Sequence, residues 1–242
     1  MRSWRRIGIV ALFMVAILTA AATAGGKALQ VKAPMHVYAH LYRPFPAETG
    51  REIWVQVSTR VGPHSGSSWT PSVFLYWDAM HFVGLGQESS AQFRINTQGF
   101  RTIGRTTVDI EAGDWVDLRI GLTETILSLS ARDRGGDWVI LQEILRPPIP
   151  ATLPAEILLG KGFGNNTPTY PNPHLDNSYS EQGATGVVYL DDLIVTVDGE
   201  TVLHETFDTL SGWSVHQDPS LTESVFSLVS EEIANAAFAD DE

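Results

Sequence analysis

Hydrophobic and polar positions alternate with a period of two along most of this chain. From Glu52 to Val61, Ile53, Val55, Val57 and Val61 fall on one side, and Trp54, Gln56, Ser58 and Arg60 on the other. From Trp115 to Leu122, Val116, Leu118, Ile120 and Leu122 alternate with Trp115, Asp117, Arg119 and Gly121. Successive strand side chains point to opposite faces, so each run predicts a strand with one face in a core and the other toward solvent or a ligand. Between them, Ser72 to Trp77 and Met80 to Gly86 flank the break Asp78-Ala79 and predict a β-hairpin. Phe74, Tyr76 and Asp78 fall on its non-core face.

Shorter runs extend the pattern. His36 to Tyr42 alternates and stops at Arg43-Pro-Phe-Pro46, because proline cannot donate to a ladder. Ala91 to Asn96, Arg101 to Ile103, Thr107 to Ile110, Glu156 to Leu159, Gly186 to Val197 and Thr201 to Glu205 predict further strands, while Lys27 to Lys32 reads as a lead-in. Thr125 to Arg132 carries Leu127, Leu129 and Ala131 inward. The glycines of Asp133-Arg-Gly-Gly-Asp137 then turn the chain into Asp137 to Ile144, and Asp198-Gly199 makes a second turn. No helical period precedes Ser230, where Glu231 and Glu232 follow a serine cap. About a dozen short strands at this spacing predict an all-β sandwich or barrel. The expected organisation is a β-sandwich over residues 25–220, then a short helix and acidic tail over 221–242.

The first residues lack the alternation. Arg2, Arg5 and Arg6 precede an apolar run from Ile7 to Leu18, followed by Ala22-Thr-Ala24, the pattern of a signal peptide over 1–24 cleaved after Ala24. The same run is just long enough to be retained as an anchor. Cleavage would take the formal charge from −12 to −15 by removing those three arginines. A surface that acidic argues against nucleic acid and anionic membranes as partners, and is compatible with glycans or cations. With no cysteine, an exported fold must be held by its core alone.

Four phrases carry a family likeness: Trp69-Thr-Pro-Ser-Val-Phe-Leu-Tyr-Trp77, Gly113-Asp-Trp-Val-Asp-Leu-Arg119, the hairpin Leu127 to Ile140, and Gly186-Val-Val-Tyr-Leu-Asp-Asp-Leu-Ile-Val195. In strand order and phrase, Glu52 to Val197 resembles the concanavalin A-like lectin/glucanase superfamily, above all the laminin G-like modules of exported microbial proteins. The resemblance implies a jelly roll of two packed antiparallel sheets, one concave and often glycan-binding. It also implies a structural calcium ion near one rim, for which Asp191, Asp192, Glu205 and Asp208 would supply hard oxygen ligands. Members include hydrolases, lyases and structural modules, among which a fold does not choose. One departure stands out. An acidic-Phe-Asp phrase and a Gly-Trp, expected near the start of such domains, occur here near the end as Glu205-Thr-Phe-Asp208 and Gly212-Trp213.

Candidate chemistry is sparse. The Glu-x-Asp-x-x-Glu strand, which places acid and nucleophile across one sugar bond, is absent; Asp109 and Glu111 are the nearest approach. No serine sits in a nucleophile elbow, and Gly160-Lys-Gly-Phe-Gly164 opens no helix. His36 and His40 would stand roughly 13 Å apart at strand rise, too far to share a metal. Sugar binding needs flat aromatic surfaces and planar polar groups. The non-core faces offer Trp54, Gln56, Arg60, Tyr76, Asp78, Trp115, Asp117 and Arg119, and the long segment 162–184 adds Asn165 and Tyr170 as either a functional loop or an insertion. The expectation is an exported, non-catalytic carbohydrate-binding module. A glycan-active hydrolase or lyase and an adhesive envelope module remain the alternatives.

Overall fold

The computed structural model describes residues 26–34, 39–61, 71–78, 81–89, 92–98, 104–107, 115–161, 185–218 and 221–236. The expected signal segment, His36, Asp109, Glu111, Asn165, Tyr170 and the acidic tail lie outside them. Among the described residues are fifteen strands: β1 (Lys27–Pro34), β2 (Ala39–Pro44), β3 (Ile53–Val61), β4 (Pro71–Asp78), β5 (His81–Ser89), β6 (Gln92–Gln98), β7 (Gly104–Thr107), β8 (Val116–Leu122), β9 (Ile126–Asp133), β10 (Val139–Leu145), β11 (Glu156–Lys161), β12 (Thr185–Val197), β13 (Glu200–Glu205), β14 (Ser214–Gln217) and β15 (Phe226–Ser230). One helix, α1 (Glu231–Ala236), follows.

The strands form two antiparallel sheets. The eight-stranded sheet runs β10-β9-β8-β3-β12-β1-β15, with β13 paired to β12, and the seven-stranded sheet runs β14-β2-β11-β4-β5-β6-β7. Their inner faces enclose one core. Ile53, Val55 and Val57 of β3, Val116, Leu118, Ile120 and Leu122 of β8, and Leu127, Leu129 and Ala131 of β9 meet Val73, Leu75 and Trp77 of β4 and Val83 and Leu85 of β5. All of these are buried, as the alternation requires. The result is the all-β jelly-roll sandwich that the resemblance implies.

Local chemistry explains the corners. β12 turns into β13 through Asp198 and Gly199, both at positive φ (49° and 86°), the two-residue turn whose twist suits a hairpin. Asp198 Oδ1 also accepts the backbone N–H groups of Arg51 and Glu52 at 3.0 and 2.9 Å, which ties the turn to the start of β3 and holds the carboxyl below its usual pKa. The terminal phrase is a second tie. Glu205 accepts the Phe207 N–H at 3.0 Å and the Trp213 indole N–H at 3.2 Å, and pairs with Arg43 at 3.5 Å, while Phe207 is fully buried in the core. Its residues therefore close the sandwich.

The chain departs from the expected layout at its ends. The lead-in is strand β1, whose Leu29, Val31 and Ala33 face the core and which pairs with β12 and β15. β15 lies beyond the expected boundary at residue 220, so the sandwich runs to Ser230. There the Ser230 hydroxyl accepts the Ile233 N–H at 3.3 Å, capping α1.

Candidate functional site

Each sheet has an outer face, and the expected site residues divide between the two. Trp54, Gln56, Arg60, Trp115, Asp117 and Arg119 belong to the paired strands β3 and β8 or their approach, on the outer face of the eight-stranded sheet. Tyr76 and Asp78 lie on β4, in the other sheet. Alternation reports which side a residue faces but not which sheet it joins, and Tyr76 does not share a face with Trp54 and Arg119. On the outer face of the seven-stranded sheet, Phe74, Phe82 and Leu158 form their own fully buried cluster with half-buried Tyr42 and Tyr76 against it. Asp78 is exposed, with His81 Nδ1 at 2.8 Å from its Oδ1. His40 is fully buried beside His216, its cross-strand partner, with ring centroids 5.1 Å apart.

On the eight-stranded sheet, helix α1 covers one end. Arg60 Nη1 donates to the Ala234 carbonyl at 2.7 Å, and the Trp115 indole N–H donates to Asn235 Oδ1 at 2.8 Å. Ala28, Tyr189 and Ala234 are buried between helix and sheet. Arg60 and Trp115 therefore dock the helix instead of facing a ligand. Asp117 is also withdrawn: it is buried, accepts the Ser58 hydroxyl at 2.6 Å and takes Arg132 Nε at 2.8 Å.

The other end of this face is a strip of planar groups. Trp54 of β3 lies over Gly121, its partner on β8; a Cβ at Gly121 would fall 2.2 Å from the indole ring. Arg119 stacks on Trp54 with its guanidinium carbon 4.7 Å from the ring centroid, and on Trp138 at 3.9 Å. Arg132 stacks on Trp138 at 4.3 Å. Such contacts contribute about 0.5–2 kcal/mol each and suit the flat guanidinium better than an ammonium. Trp54, Gln56, Arg119, Arg132 and Trp138 are all half-buried. Trp138 and Arg132 were missed among the candidates. Their signal was the hairpin itself, since a turn over Asp133 to Asp137 places Trp138 back against the strand it has just left.

The expected metal ligands are otherwise engaged. Arg134 Nη2 reaches Asp191 Oδ2 at 3.2 Å and Asp192 Oδ2 at 2.6 Å, His204 Nε2 lies 3.3 Å from Asp192 Oδ1, and Arg134 Nη1 approaches Glu231 of α1 at 3.9 Å. Burial opposes the charge on Arg134, but its hydrogen bonds and the charges of Asp192 and Asp191 outweigh that and raise its pKa. Burial first, and then the charge of Asp192, push the Asp191 carboxyl up to about 7. With Glu205 committed to Arg43, Phe207 and Trp213, the four residues do not fit a calcium ion. Among the described residues no three His, Cys, Asp or Glu side chains are placed to hold any metal. A guanidinium occupies the position proposed for a cation.

A cavity of about 540 Å³ opens at the rim between Ile53, Glu124, Arg146, Ile149 and Leu153. Its charges are internally matched: Arg146 donates to the carbonyls of Thr123 and Pro150 at 2.9 and 3.2 Å, and Arg51 pairs with Glu124 at 3.4 Å.

No family model and no curated protein sequence matches the chain. Similar solved structures include a functionally unknown protein from Saccharomyces cerevisiae (14% identity, TM-score 0.43), covering 62% of this chain and 72% of that one. Domains LG4-5 of the mouse laminin alpha1 chain show 12% identity and a TM-score of 0.45 over 78% of this chain and 46% of that one, so the chain spans less than half of that laminin piece. The Crh5 transglycosylase in its apo form shows 13% identity and a TM-score of 0.46, covering 76% and 78%. At these values the likeness is one of outline. Among the described residues no helix is long and apolar enough to cross a membrane.

Proposed function

We propose that the protein is an exported, non-catalytic carbohydrate-binding module whose ligand lies on the strip of Trp54, Gln56, Arg119 and Trp138. The observation that carries this reading is the half-buried Trp54–Arg119–Trp138 stack on an otherwise polar strand face. Half-exposed indoles offer flat apolar surface to the C–H face of a sugar, and the guanidinium and amide beside them offer planar hydrogen-bonding groups for hydroxyls. Binding energy in such shallow sites concentrates in aromatic and arginine anchors. Export rests on the arginine-flanked apolar run before Ala24, and is checked by the N-terminal sequence of protein recovered outside the cell.

The carboxylates of the strip's surroundings support the non-catalytic reading. Asp117 is buried against Ser58 and Arg132, and Glu52 accepts the Trp54 indole N–H. A glycan array with the purified chain tests the proposal. Wild type should retain a subset of glycans that Trp138→Ala releases at unchanged fold, whereas an empty array overturns it. Release of reducing ends from a bound glycan would instead establish the hydrolase alternative.

A further inference from the structure

Among the described residues Arg119 is a cation without a counter-ion, in a chain of formal charge −12. Among the described residues it forms no ion pair, and its Nε is buried with no hydrogen-bond partner. The carboxylates nearest in the sheet are engaged elsewhere or make no ion pair with it. Asp117, two residues away, takes Ser58 and Arg132. Glu52 takes the Trp54 indole. Glu143 sits opposite Ser128 on the same outer face and makes no ion pair among the described residues. Partial burial, and then the charge of Arg132, lower the pKa of Arg119. Both mean that its positive charge is poorly compensated, and a guanidinium does not escape by losing its proton. Arg132 has the same indole but also a carboxylate. Two arginines therefore share one indole, and only Arg132 has a carboxylate partner.

We propose that the sugar held on this strip is acidic, a uronic acid whose carboxylate pairs with Arg119 while its ring lies along Trp54 and Trp138. This rests on the glycan-binding reading above and narrows it. A planar carboxylate matches the guanidinium fork, and hydrogen bonds to charged partners are the stronger kind. The indoles hold Arg119 in place, so little side-chain freedom remains to be lost on binding. The acidity of the rest of the chain sets a limit. It repels densely charged polymers, while short-range pairing at Arg119 survives at physiological salt, where screening acts within about 8 Å. The ligand is thus a weakly charged acidic glycan.

The test uses otherwise neutral oligosaccharides that carry a single galacturonic, mannuronic or glucuronic acid residue, each beside its methyl ester, titrated calorimetrically into the purified chain. Esterification deletes the charge and keeps the ring. At least one free acid should bind roughly tenfold to a hundredfold tighter than its ester, the range for a charged hydrogen-bonded pair. Arg119→Gln should bring acid and ester together, with Arg119→Lys between. If an ester binds as well as its acid in the wild type, the acidic preference is overturned and the glycan reading stands. If neither acids, esters nor neutral oligosaccharides bind, both fall. The wild-type comparison needs no variant, so a misfolded Arg119→Gln leaves the test intact.

Discussion

The two outer faces of the sandwich use the same local device for opposite ends. On the seven-stranded sheet Phe74 lies over Gly84, its cross-strand partner; on the eight-stranded sheet Trp54 lies over Gly121. In both, a missing Cβ lets an aromatic ring rest flat on the backbone of the next strand. Phe74 is fully buried and joined by Phe82 and Leu158, so its face behaves as a second, smaller core. Trp54 is half-buried and joined by Arg119 and Trp138, so its face remains chemically available. An aromatic–glycine pair alone therefore does not mark a binding surface. What distinguishes the two faces is the company of the ring: hydrocarbon on one side, guanidinium on the other.

The largest expected effect is on the apolar face. Phe82→Ala should cost about 3–5 kcal/mol in a denaturant melt, as for a buried phenylalanine, and Leu118→Ala in the main core about 2–5 kcal/mol. Trp138→Ala should cost far less, because a half-buried side chain forfeits less on truncation. If Phe82→Ala and Trp138→Ala destabilise equally, the two faces do not differ in kind.

The paired glycines sharpen the contrast. An alanine Cβ would fall 2.3 Å from the ring of Phe74 at Gly84 and 2.2 Å from that of Trp54 at Gly121. Gly84→Ala meets a ring with no room to move and should cost about 1–3 kcal/mol, the range for overpacking. Gly121→Ala meets a ring with solvent on one side. It should swing Trp54 away, with little change in melting and a loss of glycan binding.

A pH profile probes the end of the strip's own sheet that α1 covers. Asp191 has a folded-state pKa of about 7 against an ordinary 3.8, so the folded protein holds its proton more tightly than the unfolded chain. Its stabilising contribution is full below pH 3.8 and is lost as pH rises through about 7. Around it stand Asp192, Arg134, Glu231 and, beyond Asp192, His204. The melting temperature of wild type minus that of Asp191→Asn should therefore decline from pH 4 to pH 8; a flat difference would contradict this. The smallest expected effect is Ser230→Ala. Loss of the cap should cost about 1 kcal/mol or less, read as faster amide exchange in α1.

Much of the fold was legible because alternation is a local property. The buried positions of β3, β8 and β9 follow directly from Val, Leu and Ile at every second residue, and the Asp198-Gly199 turn from its two residues. Sheet membership was not legible. β3 pairs with β8 across four intervening strands, β4 to β7, that belong to the other sheet, a long-range choice made by packing of the core. Alternation alone therefore does not separate Tyr76 from Trp54. β1 was missed because Leu29, Val31 and Ala33 offer only three small or medium apolar residues, stabilised by neighbours far off in sequence. At the candidate site, Trp54, Gln56 and Arg119 face outward as the alternation predicts, whereas Arg60 and Trp115 meet α1, more than 100 residues further along the chain. The partner of the acidic pair Asp191-Asp192 is equally remote in sequence: Arg134, in a turn 57 residues before Asp191, supplies the positive charge.

The central claim is that ligand is held on the outer face of the eight-stranded sheet and not on that of its partner. Titration calorimetry of one retained glycan against wild type, Trp138→Ala and Tyr76→Ala tests this most directly, with folding checked by circular dichroism. Trp138→Ala should lose measurable binding and Tyr76→Ala should bind as wild type. The reverse result, binding kept by Trp138→Ala and lost in a folded Tyr76→Ala, would place the site on the opposite sheet and contradict the account.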